Sequence, residues 1–311
     1  MSIAADAVTV DARARLASDA EVLDRVHRTL GPVDVVDEHW GADRASRVLH
    51  VVTRGGEQAV VKWHRDAAPH HRESTALHQY AVALGGDAPR VSLSDPALRL
   101  LALSRLLGEA AVGTPHERDA DIHQRAGDLL RRLHDAEPPR RHALFGPSIA
   151  AEFERWSVAA EKLWGDGSDP ADARGQRLAD ERARARECIV SAMDLGEFDH
   201  VPVHGRFEPR HWIIDPGGRV RLIDFSQLRF EPRITDLVWL EYGPWRDEPW
   251  LRAAFLHGYG RIPTERDELA LRAIAATRGL ELLVRGEARG RAAERALGRG
   301  MLDRLLGATL F

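Results

Sequence analysis

The stretch from His204 to Asp224, HGRFEPRHWIIDPGGRVRLID, constrains the fold more than any other part of the chain. Its second half carries two short β-type runs, Trp212 to Asp215 and Arg219 to Ile223. The turn-forming sequence Asp215-Pro216-Gly217-Gly218 separates them, which predicts a tight hairpin. Ahead of the hairpin, His204, Arg206, Glu208 and His211 gather polar side chains into one loop. Imidazole and carboxylate are suitable transition-metal ligands. The spacing His-x-x-x-Glu-x-x-His is nonetheless not an established zinc pattern, and Pro209 breaks the helix such a site would need.

The surrounding chain changes character twice. Ser18-Asp19-Ala20-Glu21 has the form of a capping box, and Val22, Leu23, Val26 and Leu30 follow at helical spacing until Gly31-Pro32 ends the pattern. From Val33 to Trp63 the pattern is of strands: Val33 to Val36, Arg47 to Thr53 and Gln58 to Trp63, the last two joined by Arg54-Gly55-Gly56-Glu57. Leu98 to Leu107 is a further apolar run closing at Gly108. Beyond it helices dominate: about Asp119 to His134, Ser148 as a cap through Trp164, about Ala171 to Leu195, and two or three more, the first capped by Thr264 with Asp267. The turn-rich Gly165 to Pro170 lies between two of them.

Composition excludes several classes. A chain of 311 residues, 44% hydrophobic and 30% charged, is long enough to bury one large core or two packed lobes. A net charge of −4 with both signs mixed implies no basic face, so nucleic acid is not an expected partner. No apolar run is long enough to span a membrane, and the N-terminus lacks a signal-peptide pattern. With Cys188 as the single cysteine, no internal disulfide can form, and a cytoplasmic location is expected. Only Lys62 and Lys162 are lysines among 44 basic residues, so a lysine here is a marked choice. Lys62 lies in the strand Ala59-Val60-Val61-Lys62-Trp63, where its plainest reading is a strand-end side chain reaching for water. The histidines of His64 to His71 sit in a polar segment without fixed ligand spacing, and metal binding is not expected there.

His204-Gly205, the hairpin and Leu222-Ile223-Asp224 together resemble the catalytic core of the aminoglycoside phosphotransferase family, small-molecule relatives of the protein kinases. The resemblance implies an α+β, bilobal protein-kinase-like fold: a small antiparallel-sheet N-lobe over residues 1–104 and an α-rich C-lobe over 105–311. It implies ATP, or another NTP, and Mg²⁺ as cofactors. Lys62 would pair with the nucleotide phosphates, Glu73 would hold Lys62, backbone near Ala102 to Arg105, including Ser104, would meet the base, and Asp224 would hold Mg²⁺. A phosphate-covering turn would fall at Trp40 to Ser46, and the carboxylate of Asp236 would brace the loop that His204 orients.

Two positions depart from the family loop H-G-D-x-x-x-x-N: its Asp is Arg206 and its Asn is His211. A guanidinium cannot serve as a base, so Arg206 would contact phosphate or pair with Asp224 or Glu208. His211 offers nitrogen where Mg²⁺ prefers oxygen, which weakens a second metal position and leaves a water-mediated contact. Glu208 is the nearest substitute base. The expected function is phosphotransfer to a hydroxyl of a small molecule, an antibiotic of the aminoglycoside type being one class, with a weakened or relocated base. The alternative is a nucleotide-binding pseudokinase. Glu241, Asp247, Glu248 and Glu281 would suit a cationic substrate, and Trp239, Tyr242, Trp245 and Trp250 are candidate pocket aromatics. The sequence does not determine the oligomeric state.

Overall fold

The computed structural model describes residues 16–41, 45–142, 144–168 and 172–307. It divides into two compact units, one running to Leu107 together with Ile223–Gln227, the other comprising Gly108–Leu222 and the chain from Leu228.

The first unit opens with α1 (Asp19–Leu30), whose Ser18 and Glu21 form both halves of the expected capping box. There follow β1 (Val33–Trp40), β2 (Ser46–Thr53), β3 (Gln58–His64), α2 (Ala67–Tyr80), β4 (Val91–Asp95) and β5 (Leu100–Ser104). The strands form one antiparallel sheet in the order β1-β2-β3-β5-β4. Alternation along β2 and β3 sends Leu49, Val51, Val61 and Trp63 to one face, where Val22 and Val26 of α1 close a core with Leu100 and Ala102. Each of the valine and leucine side chains contributes roughly 1.5–3 kcal/mol by leaving water. Lys62, between Val61 and Trp63, is thereby turned to the opposite face. The turn expected at Trp40 to Ser46 includes residues 42–44, outside the described residues.

The second unit contains β6 (Glu109–Ala110), α3 (Ala120–His134), β7 (Arg140–His142), α4 (Phe145–Trp164), α5 (Ala173–Ser191), β8 (Phe198–Val203), β9 (Trp212–Ile214), β10 (Val220–Leu222), β11 (Arg229–Pro232), α6 (Val238–Glu241), α7 (Pro249–Tyr259), α8 (Glu265–Ala288) and α9 (Ala292–Gly307). Two small antiparallel sheets, β10-β9-β6 and β11-β8-β7, are set among these helices. Pro209 admits only a single 3₁₀ turn, Pro209–His211, before the hairpin. In the hairpin turn, Asp215 Oδ1 accepts the N–H groups of Gly217 and Arg219 at 2.9 and 3.0 Å, which holds the register of β9 and β10.

One expectation is corrected here. Ser148 does not cap α4: the helix begins at Phe145, because Phe145, Ile149 and Phe153 form a continuous buried stripe one turn longer than the cap reading allows. Thr264 does cap α8, with Asp267 completing the box. None of the described helices is long and apolar enough to cross a membrane.

Candidate active site

The candidate residues form two groups of side chains, one in each unit. In the first, Lys62 Nζ lies 2.8 Å from Glu73 Oε2 and 2.7 Å from Asp224 Oδ1. The sheet aims Lys62 away from the α1 core, and α2 presents Glu73 from its buried side. His64, two residues beyond Lys62 on β3, holds the same Glu73 oxygen through Nε2 at 2.9 Å. Burial by itself would lower the Lys62 pKa, but the charges of Asp224 and Glu73 outweigh it and raise the value. Burial opposes ionisation of Glu73 as well; the Lys62 charge and the His64 hydrogen bond overcome it and lower its pKa. Lys62 and Glu73 are therefore both charged at neutral pH, held together with Asp224.

Asp224 adopts φ 65°, the left-handed region that few side-chain-bearing residues enter and that Asp tolerates better than most. Its side chain is 35% exposed while one oxygen meets Lys62, so a hard oxygen donor is presented where a divalent cation could reach it. Nearby, Arg72 Nε donates to the Ser226 carbonyl at 2.7 Å and ties α2 to the segment that follows Asp224. Ser104, the other residue expected at the nucleotide, uses its N–H on the Arg90 carbonyl and its hydroxyl on the Arg90 N–H, both at 2.9 Å. His70 Nε2–H donates to the Leu100 carbonyl at 3.2 Å.

In the second unit the loop after β8 is fixed by Asp236. Its two oxygens accept the N–H groups of His204 and Gly205, each at 2.7 Å. Gly205 has φ 82°, a conformation that favours glycine and lets two successive N–H groups converge on one carboxylate. His134, at the end of α3, supports Asp236 with Nε2 at 3.0 Å while Tyr259 of α7 meets its Nδ1 at 2.7 Å. Burial lowers the His134 pKa, so the neutral ring donates Nε2–H to Asp236 and accepts the Tyr259 hydroxyl proton. Burial pushes the Tyr259 phenol up to about 12 and keeps it a donor. Asp236, despite the opposing effect of burial, is lowered by its bond to His134 and by the His204 N–H. Trp239 completes the frame by donating Nε1–H to the Gly205 carbonyl at 3.0 Å.

On this frame Arg206 Nε meets Glu208 Oε1 at 2.7 Å, and its guanidinium lies 5.2 Å from the Trp239 ring centroid. Arg210 Nε reaches the same Glu208 oxygen at 2.9 Å. The pairing of Arg206 with Glu208, one of the outcomes expected for it, is present. Glu208 is thus engaged by two guanidiniums through one oxygen. His211 is buried, and its Nδ1–H donates to the Arg206 carbonyl at 2.8 Å. His204 is fully buried, its ring 5.6 Å from that of His211. His204, Glu208 and His211 do not assemble as a ligand set among the described residues.

The acidic residues expected to meet a cationic substrate each have an arginine nearby. Glu241 pairs with Arg252 at 2.9 Å, Glu248 with Arg118 at 3.3 Å, Asp247 with Arg246 at 3.7 Å, and Glu281 with both Arg278 and Arg285. Trp239 and Trp245 are buried, and Trp250 is exposed. A cavity of about 110 Å³ lies among Phe145, Ile149, Glu152, Glu231 and Arg278, away from the loop side chains. It adjoins the frame only through Thr235, the neighbour of Asp236. Sequence reasoning did not find His64, His134 or Tyr259. The ending Leu-Leu-Arg-Arg-Leu-His at His134 was the one local signal.

The sequence profile of the phosphotransferase enzyme family matches residues 38–273, most of the chain and both groups of side chains. The chain belongs to this family. Among solved structures it resembles a thermostable mutant of the aminoglycoside phosphotransferase APH(4)-Ia, with 19% identity and a TM-score of 0.69 over 93% of this chain and 100% of that one. It also resembles the macrolide 2′-phosphotransferase MphH of Brachybacterium faecium, at 17% identity and a TM-score of 0.59 over 91% and 97% of the two chains. A spectinomycin phosphotransferase solved with ADP and spectinomycin matches at 13% identity and a TM-score of 0.64, over 95% and 99%. At such identities the likeness establishes the fold, which is α+β and protein-kinase-like. No curated protein matches the sequence.

Proposed function

We propose that this family member binds a nucleoside triphosphate, ATP or another, through Lys62, Glu73 and Asp224 and transfers a phosphoryl group to a hydroxyl of a small molecule without a carboxylate base in its loop. The observation that carries the reading is the buried Lys62, held within 2.8 Å by Glu73 and 2.7 Å by Asp224. A compact ammonium so placed suits phosphate oxygens, and phosphoryl transfer depends mainly on positioning and charge neutralisation. Asp224 fits Mg²⁺, a hard cation that would neutralise phosphate charge when bound; the nitrogen of His211 fits it poorly. Arg206 cannot accept a proton, and Glu208 is committed to Arg206 and Arg210. What the loop forgoes is general-base help, about 10²- to 10⁴-fold in rate. A hydroxylated amine is the acceptor class to try first, and a cytoplasmic setting accords with the single cysteine.

The Arg206–Glu208–Arg210 cluster also favours a second reading, a pseudokinase that binds nucleotide and does not transfer. Thermal-shift titration with Mg²⁺ and nucleotides, followed by turnover with a panel of hydroxylated amines, tests both. Mg²⁺·ATP is expected to raise the melting temperature of the wild type, less so for Asp224→Asn. Slow turnover is expected in the wild type, unchanged in Glu208→Gln and raised about 10²-fold or more in Arg206→Asp/His211→Asn. Absence of any nucleotide-dependent shift sinks both readings. Binding without turnover in the wild type, gained only in the double variant, selects the second.

A further inference from the structure

β1 is an edge strand of the sheet in the first unit, and its pairing with β2 slips between Val35 and Asp37. Before the slip Val35 lies opposite Val51, a residue of the α1 core face. After it, Asp37 lies opposite His50 and His39 opposite Val48, and Val48 in turn lies opposite Lys62. Residues directly opposite one another share a face, so the bulge rotates Asp37 and His39 off the core face and onto the face that carries His50 and Lys62. An unbroken register would have sent Asp37 toward the α1 core.

The result is a cluster with a definite donor set. The ligand atoms of Asp37, His39 and His50 all lie within 4.8 Å of one another, the only such trio among the described residues. The two imidazole rings are 5.4 Å apart and tilted by 44°. Two imidazoles and one carboxylate match three-residue zinc sites that keep an open fourth position, with bonds near 2.0–2.2 Å. Asp37 and His39 are exposed and His50 is half-buried, so the first two side chains can turn toward an ion held at the third. Arg105 sets a positive charge against a cation here, and its guanidinium is bonded to Gln58 at 2.7 Å.

We propose that Asp37, His39 and His50 bind one borderline divalent cation of the zinc type, with water or an external ligand in the remaining position. Mg²⁺ does not compete, because two of the three donors are nitrogen. The site is independent of whether Lys62 serves a nucleotide. The test is calorimetric titration of the metal-free full chain with Zn²⁺, and Co²⁺ titration followed by visible absorption, in the wild type, Asp37→Asn and His39→Ala. The wild type is expected to take up one equivalent at this site and to show the intense Co²⁺ bands of a four-coordinate ion, unaltered by excess Mg²⁺. Each variant should bind that equivalent at least about tenfold more weakly. Both substitutions are at exposed positions, and circular dichroism with the metal-free melting temperature controls for folding. Uptake that is absent from the wild type, or the same in the wild type and His39→Ala, overturns the proposal.

Discussion

Asp236 shows how much one carboxylate can organise. It is fully buried and accepts the His204 and Gly205 N–H groups at 2.7 Å and the His134 ring at 3.0 Å. Asp236→Ala would leave three buried donors unpaired, each costing about 1–3 kcal/mol, so a loss of about 3 kcal/mol or more is expected. Urea denaturation measures it; a loss below about 1 kcal/mol would mean that water replaces the carboxylate. The family resemblance pointed to Asp236 as a brace, but which N–H groups reach a carboxylate has no local sequence signature. Arg206 was legible in the opposite sense: that it cannot be a base follows from its chemistry alone. That it instead engages Glu208 and lies over Trp239 required the coordinates.

Among the elements, α3 and α7 show what fixes the position of His134. Gly127 of α3 leaves no room for a Cβ against the Phe255 carbonyl and the Tyr259 N–H, and Gly258 of α7 leaves none against the Gln124 carbonyl. The two glycines let the helix backbones touch, and that approach brings Tyr259 to His134. Gly127→Ala is expected to destabilise by at least about 2 kcal/mol despite alanine's better helix propensity, because the clash is with backbone that cannot rotate away. An unchanged melting temperature would show that the helices can separate without cost. The glycines were visible in the sequence, but a helical glycine does not announce its partner. β8 was hidden for a different reason. Pro202 and the polar Asp199 and His200 disguise the strand FDHVPV. The structure tolerates Pro202 because β7 pairs only with residues 198–200, leaving β8 open on that side beyond His200. Ser148 misled because an N-cap residue is recognised by composition, whereas the start of α4 is decided by what Phe145 buries.

For the molecule as a whole, the second unit buries two histidines in neutral form. His123 accepts the Trp245 N–H at 3.1 Å and donates to the Glu117 carbonyl at 3.0 Å, and His134 is held between Tyr259 and Asp236. Burial lowers both pKa values from the usual 6.5. Below that value the unfolded chain therefore binds more protons than the folded one. Their contribution is full above pH 6.5 and is lost as the pH falls toward the lower folded values, at up to about 1.4 kcal/mol per pH unit for each ring. The urea midpoint should fall between pH 7 and pH 5, above the range where Glu73 and Asp236 begin to protonate. A midpoint constant across that interval would contradict neutral burial. By itself the sequence determined the features that depend on near neighbours: both capping boxes, the hairpin turn at Asp215, the alternation of β2 and β3 and the helical second half, since backbone preference and side-chain period act within a few residues. Only the tertiary structure decided which distant groups meet. It joined Ile223–Gln227 to the first unit, set Lys62 against Asp224 across 162 residues of chain, tied Glu208 to two arginines and, through one bulge, put Asp37 and His39 beside His50. Such pairings have no local signature, because they follow from how buried faces pack and from which charges that packing leaves in reach of one another.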